Sequence, residues 1–504
     1  MNISQNINSK TFFILGIACL SILLKLPFID APISDWHSWN QVSTVSNARY
    51  IYNEGIDAFW HPKEDLFESV NSQTNSVFAE FPILAGAIAI GYSIVGEEAE
   101  WIARLICILF SLIGTIYFYL LVTDETNDHI GRIATTMYIL SPMVWYFHRT
   151  IMTDVPMVSF VIAGLYHFNG WIKNNSYKHL ILATLFTALA ALFKAYALYV
   201  GIIYLLLIID LKGVKSLFKP AHLFLAIGSL LPIGLWMFFC LSQIQQGSTG
   251  VNLTVNSELL GSLDIWFKQA YWARLLSSIG DFTLMPIGLP GFIAALILFK
   301  RIKQHRMILY WLGAVLFYFL FVRQGNREHD YYQMPFTAPI VFFSSIGWYY
   351  WGKSWISKLS TKQIKWVIAG ITCLMVLNGG KYSYTKARQD PSPVVLGKKL
   401  DSINRLRERV LIIDPDTLQR NQALYYANVH GWQIRHLPSI AEIDQYMTNG
   451  VRWIGVSYPE QSFIKQSSYF DSLENEYKYV WTEVSHDRYD RKKVLRIYYL
   501  GKNP

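Results

Sequence analysis

Charge is what this chain has least of. Asp, Glu, Lys and Arg together make 16% of the 504 residues, against 52% hydrophobic and 15% aromatic, a balance far too apolar for a soluble globular protein. Cysteine is scarcer still. The four present, Cys19, Cys107, Cys240 and Cys373, each fall inside an apolar run with no metal-ligand spacing between them, which argues against a thiolate metal site and points to buried thiols. A cleavable leader is not expected: one cation, Lys10, precedes an apolar stretch from Thr11 to about Ile29 that has no small-x-small pattern and is long for a signal core. That stretch reads as a first transmembrane helix. No strand-like alternation runs along the apolar segments, which excludes a membrane barrel, and no internal repeat is visible.

What the chain has in plenty is apolar runs of about 17–25 residues, the length a helix needs to cross a bilayer. After the first helix, spans are expected at 101–122, 131–148, 155–172, 179–193, 196–210, 221–242, 285–300, 307–322, 333–352 and 364–379. Together these give about eleven. The segment Phe81–Val95 is apolar but short and glycine-punctuated, so it suits a juxtamembrane helix. The net charge of +9 could suggest nucleic acid, but the basic residues sit in short loops beside apolar runs. There they orient helices and no nucleic-acid partner is expected. Lys173 and Lys178; Lys212, Lys215 and Lys219; Lys300, Arg301, Lys303 and Arg306; and Lys353, Lys358, Lys362 and Lys365 all fall on one side. The positive-inside rule makes that side, with the N-terminus, cytoplasmic. Two loops break the bias: Thr123–Gly131 is acidic, and the opposite loop holding Arg323 and Arg327 is basic.

The outer side then collects the loop Asp30–Glu100, turns at Arg149–Asp154 and at Lys194, loops Ser242–Leu284 and Arg323–Tyr332, and the tail beyond Gly380. In the tail, Arg409–Asp414 and Val451–Val456 read as strands, and Thr417–Asn428 and Ile440–Asn449 as helices. The expected organisation is a transmembrane domain over 1–385, with residues 30–100 as its first outer loop, and an extracytoplasmic α/β domain over 386–504.

Polar candidates gather on the same face. Asp35 lies in Ser34-Asp35-Trp36-His37-Ser38-Trp39, Glu80 in Glu80-Phe81-Pro82, Asp154 in Thr153-Asp154-Val155-Pro156, and His329 in His329-Asp330-Tyr331-Tyr332. Lys194 interrupts the apolar run Ile181–Leu207 where the topology demands a turn. Each has an ordinary reading beside the functional one. Asp35 could be a solvated loop acid, Glu80 helix-start chemistry, Asp154 an N-cap, Lys194 an interfacial anchor, and His329 with its tyrosines part of an aromatic belt. Arg49 and Arg104 could bind phosphate or anchor the structure. A carboxylate at a membrane cavity can take a proton from an attacking hydroxyl, while Lys, Arg or a metal ion neutralises a departing phosphate. Those are the parts of sugar transfer from a lipid phosphate.

At these residues the sequence resembles the GT-C class of polyprenyl-phosphate-sugar glycosyltransferases, particularly bacterial members related to lipid A aminoarabinose transferases and protein O-mannosyltransferases. The resemblance covers most of the chain. It rests on the Asp35/His37/Trp39 loop with Thr44 and Ala48-Arg49, on Glu80-Phe81-Pro82, and on Gly96 followed by Trp101 and Arg104-Leu105. Asp154-Val155-Pro156, Lys194 and His329-x-Tyr331-Tyr332 leading to Pro335 complete it. It implies a helical GT-C fold with juxtamembrane helices in the first loop and a small soluble C-terminal domain, in the inner membrane. It further implies an inverting transfer from a polyprenyl-phosphate sugar to a lipid, glycan or protein acceptor, with Asp35 as base. Glu80 and Asp154 would line the pocket and could hold a divalent cation, Lys194 would face the lipid phosphate, and His37, Arg49, His329, Tyr331 and Tyr332 would contact substrate. Where relatives carry Trp-Arg and a second acid in the first loop, this chain has Trp39-Asn40 and Ser43, so Arg49 is the available stand-in. Two other readings stay open, a transporter or flippase for lipid-linked sugars and a catalytically inactive membrane scaffold.

Overall fold

The computed structural model describes residues 3–67, 70, 75–245, 249–250, 260–284, 287–415 and 421–501. The chain forms two compact units, each discontinuous in sequence: Met1–Ile29, Arg104–Phe239 and Asn252–Thr385 in one, Asp30–Ala103, Cys240–Val251 and Lys386–Pro504 in the other.

The first unit is helical. Among the described residues, five helices are long and apolar enough to cross a membrane: Glu100–Glu125, Asp154–Asn174, Ala195–Lys212, Pro220–Gln245 and Thr361–Lys386. The first and fourth run a few residues into the other unit. Shorter apolar helices occupy Ser9–Leu23, Tyr177–Phe193, Gly288–Ile297 and Arg306–Phe321, and Met334–Ile356 is a further helix. The expected span 131–148 is instead two helices, Asp128–Leu140 and Pro142–Phe147. Ser141 accepts from the Val144 N–H, and Pro142 opens the second helix, because proline fits a helix start and not its interior.

Apolar side chains on these helices point outward, with Leu231, Leu235 and Phe238 exposed along Pro220–Gln245. That is the surface a lipid-facing helix needs. In Thr361–Lys386 only Gly379 and Ser383 are buried, and a Cβ on Gly379 would meet Trp145 at 2.6 Å and the Leu140 carbonyl at 2.8 Å. That small residue is where the helix comes close to its neighbours' atoms. Gly291 and Gly347 make a closer crossing, since a Cβ on Gly347 would lie 1.9 Å from the Gly291 carbonyl oxygen; small residues at such crossings let membrane helices touch backbone to backbone.

The acidic loop that broke the charge bias is neutralised locally. Lys173 lies 3.0 Å from Asp124 and 2.8 Å from Glu125, and Arg132 lies 2.8 Å from Asp128. The cysteine expectation holds for half the set: Cys107 and Cys240 are buried, while Cys19 and Cys373 are exposed on their helices, where apolar surroundings leave a thiol no reason to turn inward.

The second unit is built on a five-stranded sheet: β1 Arg409–Ile413, β2 Gly431–Ile434, β3 Val451–Pro459, β4 Lys478–His486 and β5 Lys492–Tyr499. Their order is β2-β1-β3-β5-β4. β1 runs parallel to β2 and β3, and β5 antiparallel to β3 and β4. Strand alternation sends Leu411 and Ile413 into one core with Trp432, Phe470 and Tyr498, and Val410 and Ile412 into the other with Leu396, Leu424 and Ile497. The strands expected at 409–414 and 451–456 and the helix Ile440–Thr448 stand close to expectation. The expected helix Thr417–Asn428 is Gln422–Ala427 in its described part, and residues 416–420 lie outside the described residues.

The first loop is part of this same body. Asp65–Phe67 pairs with the sheet edge through Phe67 N–H to the Gly431 carbonyl at 2.8 Å and Gly431 N–H to the Asp65 carbonyl at 3.0 Å. Leu66 and Phe67 enter opposite cores, each burial stabilising by about 1.5–3 kcal/mol. The loop also carries the helices Ser38–Glu54 and Ile83–Val95, the latter the short helix expected at Phe81–Val95.

Candidate active site

In the helical unit, Lys194 ends the helix Tyr177–Phe193 by turning extended, with φ −154° and ψ 119°, as the topology required. Its ammonium lies 3.8 Å from the Asp154 carboxylate, whose side chain is fully buried. Asp154 is the first residue of Asp154–Asn174, with Thr153 at the cap position; it is not the N-cap, though the first helical turn still favours its charge. Tyr196, two residues past Lys194, donates its hydroxyl to the other Asp154 oxygen. A buried carboxylate thus accepts from one neutral hydroxyl and faces one cation, which keeps it oriented.

Aromatic rings extend the cluster. The Tyr196 ring centroid lies 5.4 Å from Tyr318 and 5.6 Å from Tyr332, and the Tyr318 hydroxyl donates to the Tyr332 carbonyl at 2.9 Å. Tyr331 stacks on Tyr332 at 4.7 Å and His329 on Tyr331 at 5.2 Å. Five of the sequence candidates, Asp154, Lys194, His329, Tyr331 and Tyr332, therefore meet in one neighbourhood from three separate stretches of chain. Tyr196 joins them; its signal was its position two residues beyond Lys194 in an otherwise apolar run. Near the end of the first helix, Arg104 donates to the Ile29 carbonyl at 2.8 Å, and Arg149 to those of Pro27 and Phe28 at 3.3 and 3.4 Å. Phe28 adopts a left-handed φ of 65°, a strained conformation that persists where surroundings hold it.

The α/β unit holds Asp35, His37, Arg49 and Glu80. The Asp35 side chain is fully buried and accepts from Gln41 Nε2 at 2.7 Å. The strand of chain around it is gripped by the C-terminal segment. Arg488 donates to the carbonyls of Ser34 and Asp35 at 3.3 and 3.0 Å, Trp36 N–H donates to the Lys386 carbonyl at 3.1 Å, and the Lys386 ammonium sits 3.5 Å from the Trp36 ring centre. His37 takes a left-handed φ of 56° and caps Ser38–Glu54. None of Gln41, Lys386 or Arg488 carried a sequence signal, because each acts from one helical turn or several hundred residues away.

Arg49 is committed to protein. Its guanidinium bonds Glu98 at 2.7 Å and the Tyr425 carbonyl at 2.9 Å, lies 3.8 Å from Asp65, and stacks 3.9 Å over the Tyr425 ring. Burial opposes its charge, but Tyr425, Asp65 and Glu98 more than offset that and hold its pKa above the usual range. Ser43 donates to Glu64, which also accepts from Asn421 at 3.1 Å. Glu80 precedes Phe81, whose ring packs edge-on against Phe59 and Trp60. The helix that follows starts at Ile83, with Pro82 at the cap position.

For a divalent cation the donor set is poor. Among the described residues no group of three or more His, Cys, Asp or Glu side chains is arranged to hold a metal, and Asp154 already faces the Lys194 ammonium. A hard cation takes six or more oxygen ligands and tolerates no such neighbour cheaply.

The architecture is that of the GT-C membrane glycosyltransferases. ArnT from Cupriavidus metallidurans in the apo state superposes with a TM-score of 0.65 at 13% identity, covering 97% of this chain and 98% of that one. Its complex with undecaprenyl phosphate gives 0.62 at 11% identity over 96% and 98%. The archaeal oligosaccharyltransferase AglB from Archaeoglobus fulgidus, in complex with an inhibitory peptide and a dolichol-phosphate, gives 0.55 at 10% identity over 96% and 74%. Residues 80–238 match the model of the dolichyl-phosphate-mannose-protein mannosyltransferase family, a stretch that includes Glu80, Asp154 and Lys194. No curated protein sequence matches the chain.

Proposed function

We propose that this protein is an inverting membrane glycosyltransferase that moves a sugar from a polyprenyl-phosphate donor to a lipid, glycan or protein acceptor at the outer face of the cytoplasmic membrane. The observation that carries this reading is the Asp154–Lys194–Tyr196 cluster with its tyrosine wall, in a fold whose solved relatives include one bound to undecaprenyl phosphate and one to a dolichol-phosphate.

Asp35 acts as the base. The acceptor oxygen attacks the anomeric carbon, its proton passes to the Asp35 carboxylate, and the sugar–phosphate bond breaks with its electron pair going to the phosphate oxygen. Phosphate leaves readily once its charge is met, so positive charge does more than a general acid would. Lys194 supplies that charge, Asp154 and Tyr196 hold the ammonium in place, and His329, Tyr331 and Tyr332 form the wall against which the sugar packs. His37 and Glu80 are the other first-loop residues assigned to the reaction. Arg49, with its donors taken up by Glu98 and Tyr425, positions that loop.

The test is a glycan and glycolipid profile of cells lacking the protein. One defined sugar substitution should disappear, return with the wild-type chain, and stay absent with Asp35→Asn expressed at the same level. A profile unchanged by deletion rejects transferase activity.

A further inference from the structure

A second cavity lies in the α/β unit. It measures about 750 Å³ and is lined by Pro415, Pro459, Glu460, Gln461, Ser462, Asp487, Arg491, Lys492 and Lys493, within the size range of small-molecule sites. Its place in the topology is specific. Pro415 follows β1 and Pro459–Ser462 ends and follows β3, so the cavity opens at the carboxyl ends of two adjacent parallel strands. After β1 the chain departs toward β2 on one side, and after β3 toward β5 and β4 on the other. Open α/β sheets bind ligands in the crevice at such a switch point, because the connecting segments part there and leave a gap.

The lining is polar and built. Asp414, at the end of β1, and Lys493, on β5, form an ion pair at 3.5 Å with side chains 2% and 3% exposed. Such a pair adds little stability but fixes geometry. Asp487 accepts from the Arg491 side chain at 2.5 Å and from the N–H groups of Tyr489 and Arg491 at 2.8 and 3.0 Å, which sets the Arg491 guanidinium at the rim, where its side chain is 68% exposed. Lys492, Gln461 and Ser462 are exposed beside it. Three cations, Arg491, Lys492 and Lys493, outnumber two acids, Glu460 and Asp487, and with the amide of Gln461, the hydroxyl of Ser462 and two prolines they suit a hydroxyl-rich ligand bearing an anionic group.

We propose that this cavity is a binding site for a saccharide carrying a phosphate or carboxylate substituent, separate from the site of transfer. The turn that bears Arg491 also bears Arg488, which holds the Asp35 segment, so ligand at the cavity and the first loop share one support. Binding is read without turnover, so the proposal stands or falls apart from the transferase reading.

The experiment places the full-length protein in lipid nanodiscs on an array of defined saccharides with phosphate or uronic-acid groups, beside neutral counterparts. Binding should favour anionic saccharides by about tenfold or more, and Lys492→Glu and Ser462→Trp should each weaken it by about tenfold or more while leaving the thermal midpoint unchanged. Preference for the phosphate or the uronic-acid set names the anion. Equal binding of neutral saccharides, binding retained in both variants, or competition by inorganic phosphate as strong as by the saccharide overturns the proposal.

Discussion

Asp154 and Asp35, both fully buried, are held in contrasting ways. Asp154 sits at a helix start and meets side chains, Lys194 and Tyr196, that arrive from the next helix end. Asp35 sits in a loop, and what holds it is mostly backbone: its own carbonyl and that of Ser34 accept from Arg488, and Trp36 is tied to Lys386. The first arrangement is rigid because helices pack; the second is rigid only because a domain hundreds of residues downstream closes over it. A group held by helix ends suits a fixed charge that meets a phosphate. On the proposed assignment, the base Asp35 lies on a segment that the C-terminal part of its own unit holds by the backbone.

That contrast can be tested by removing each holder in turn. Asp35→Asn should cost the most activity, about 10²–10⁴-fold in transfer rate, with the thermal midpoint and donor binding close to wild type; a variant that keeps its rate breaks the assignment of the base. Asp154→Ala should instead show first in stability, about 3–5 kcal/mol from stranding a buried ammonium, measured as a fall in the unfolding midpoint in detergent. Replacing Lys194 with Met in the same chain should recover much of that loss without recovering activity.

Arg488→Ala removes donors from two backbone carbonyls and should cost about 1–3 kcal/mol. Its kinetic mark distinguishes positioning from chemistry: kcat falls while the donor KM holds, and a lysine at the same place restores part of it. The smallest effect concerns pH. His430, beside Tyr50 and Asn75, has its pKa lowered by burial and by Arg409 and Lys63, against the opposing pull of Asp65 and Glu54. The folded α/β unit therefore prefers neutral imidazole. Its contribution is complete above the ordinary value of 6.5 and is lost as pH falls from there through the lower value of the folded state. Thermal midpoints taken from about pH 7.5 down to 5 should slope downward in the wild type, and His430→Gln should flatten the slope.

The same contrast explains how far the sequence could be read. Helix ends announce themselves: an acid before Val-Pro and a lysine interrupting an apolar run located Asp154 and Lys194, and the turn at Lys194 followed from loop parity alone. Ser141-Pro142 carried its break in plain view, yet a run of apolar residues on both sides masked it. The sheet was half legible, since β1 and β3 are apolar runs, whereas β4 is Lys478–His486 with an exposed polar face and gives no such signal. The holders of Asp35 were not legible at all. Arg488 and Lys386 lie some 450 and 350 positions away along the chain, and no local pattern records a contact of that separation.

The central claim, that Asp35 removes the acceptor proton while Lys194 meets the phosphate, is tested most directly by release of the lipid carrier. Purified full-length protein in vesicles is given the lipid fraction of the deletion strain, where unused donor accumulates, and free polyprenyl phosphate is quantified by mass spectrometry. Wild type should release it together with glycosylated acceptor, and Asp35→Asn should bind the same donor and release none. Release by Asp35→Asn at the wild-type rate would contradict the account.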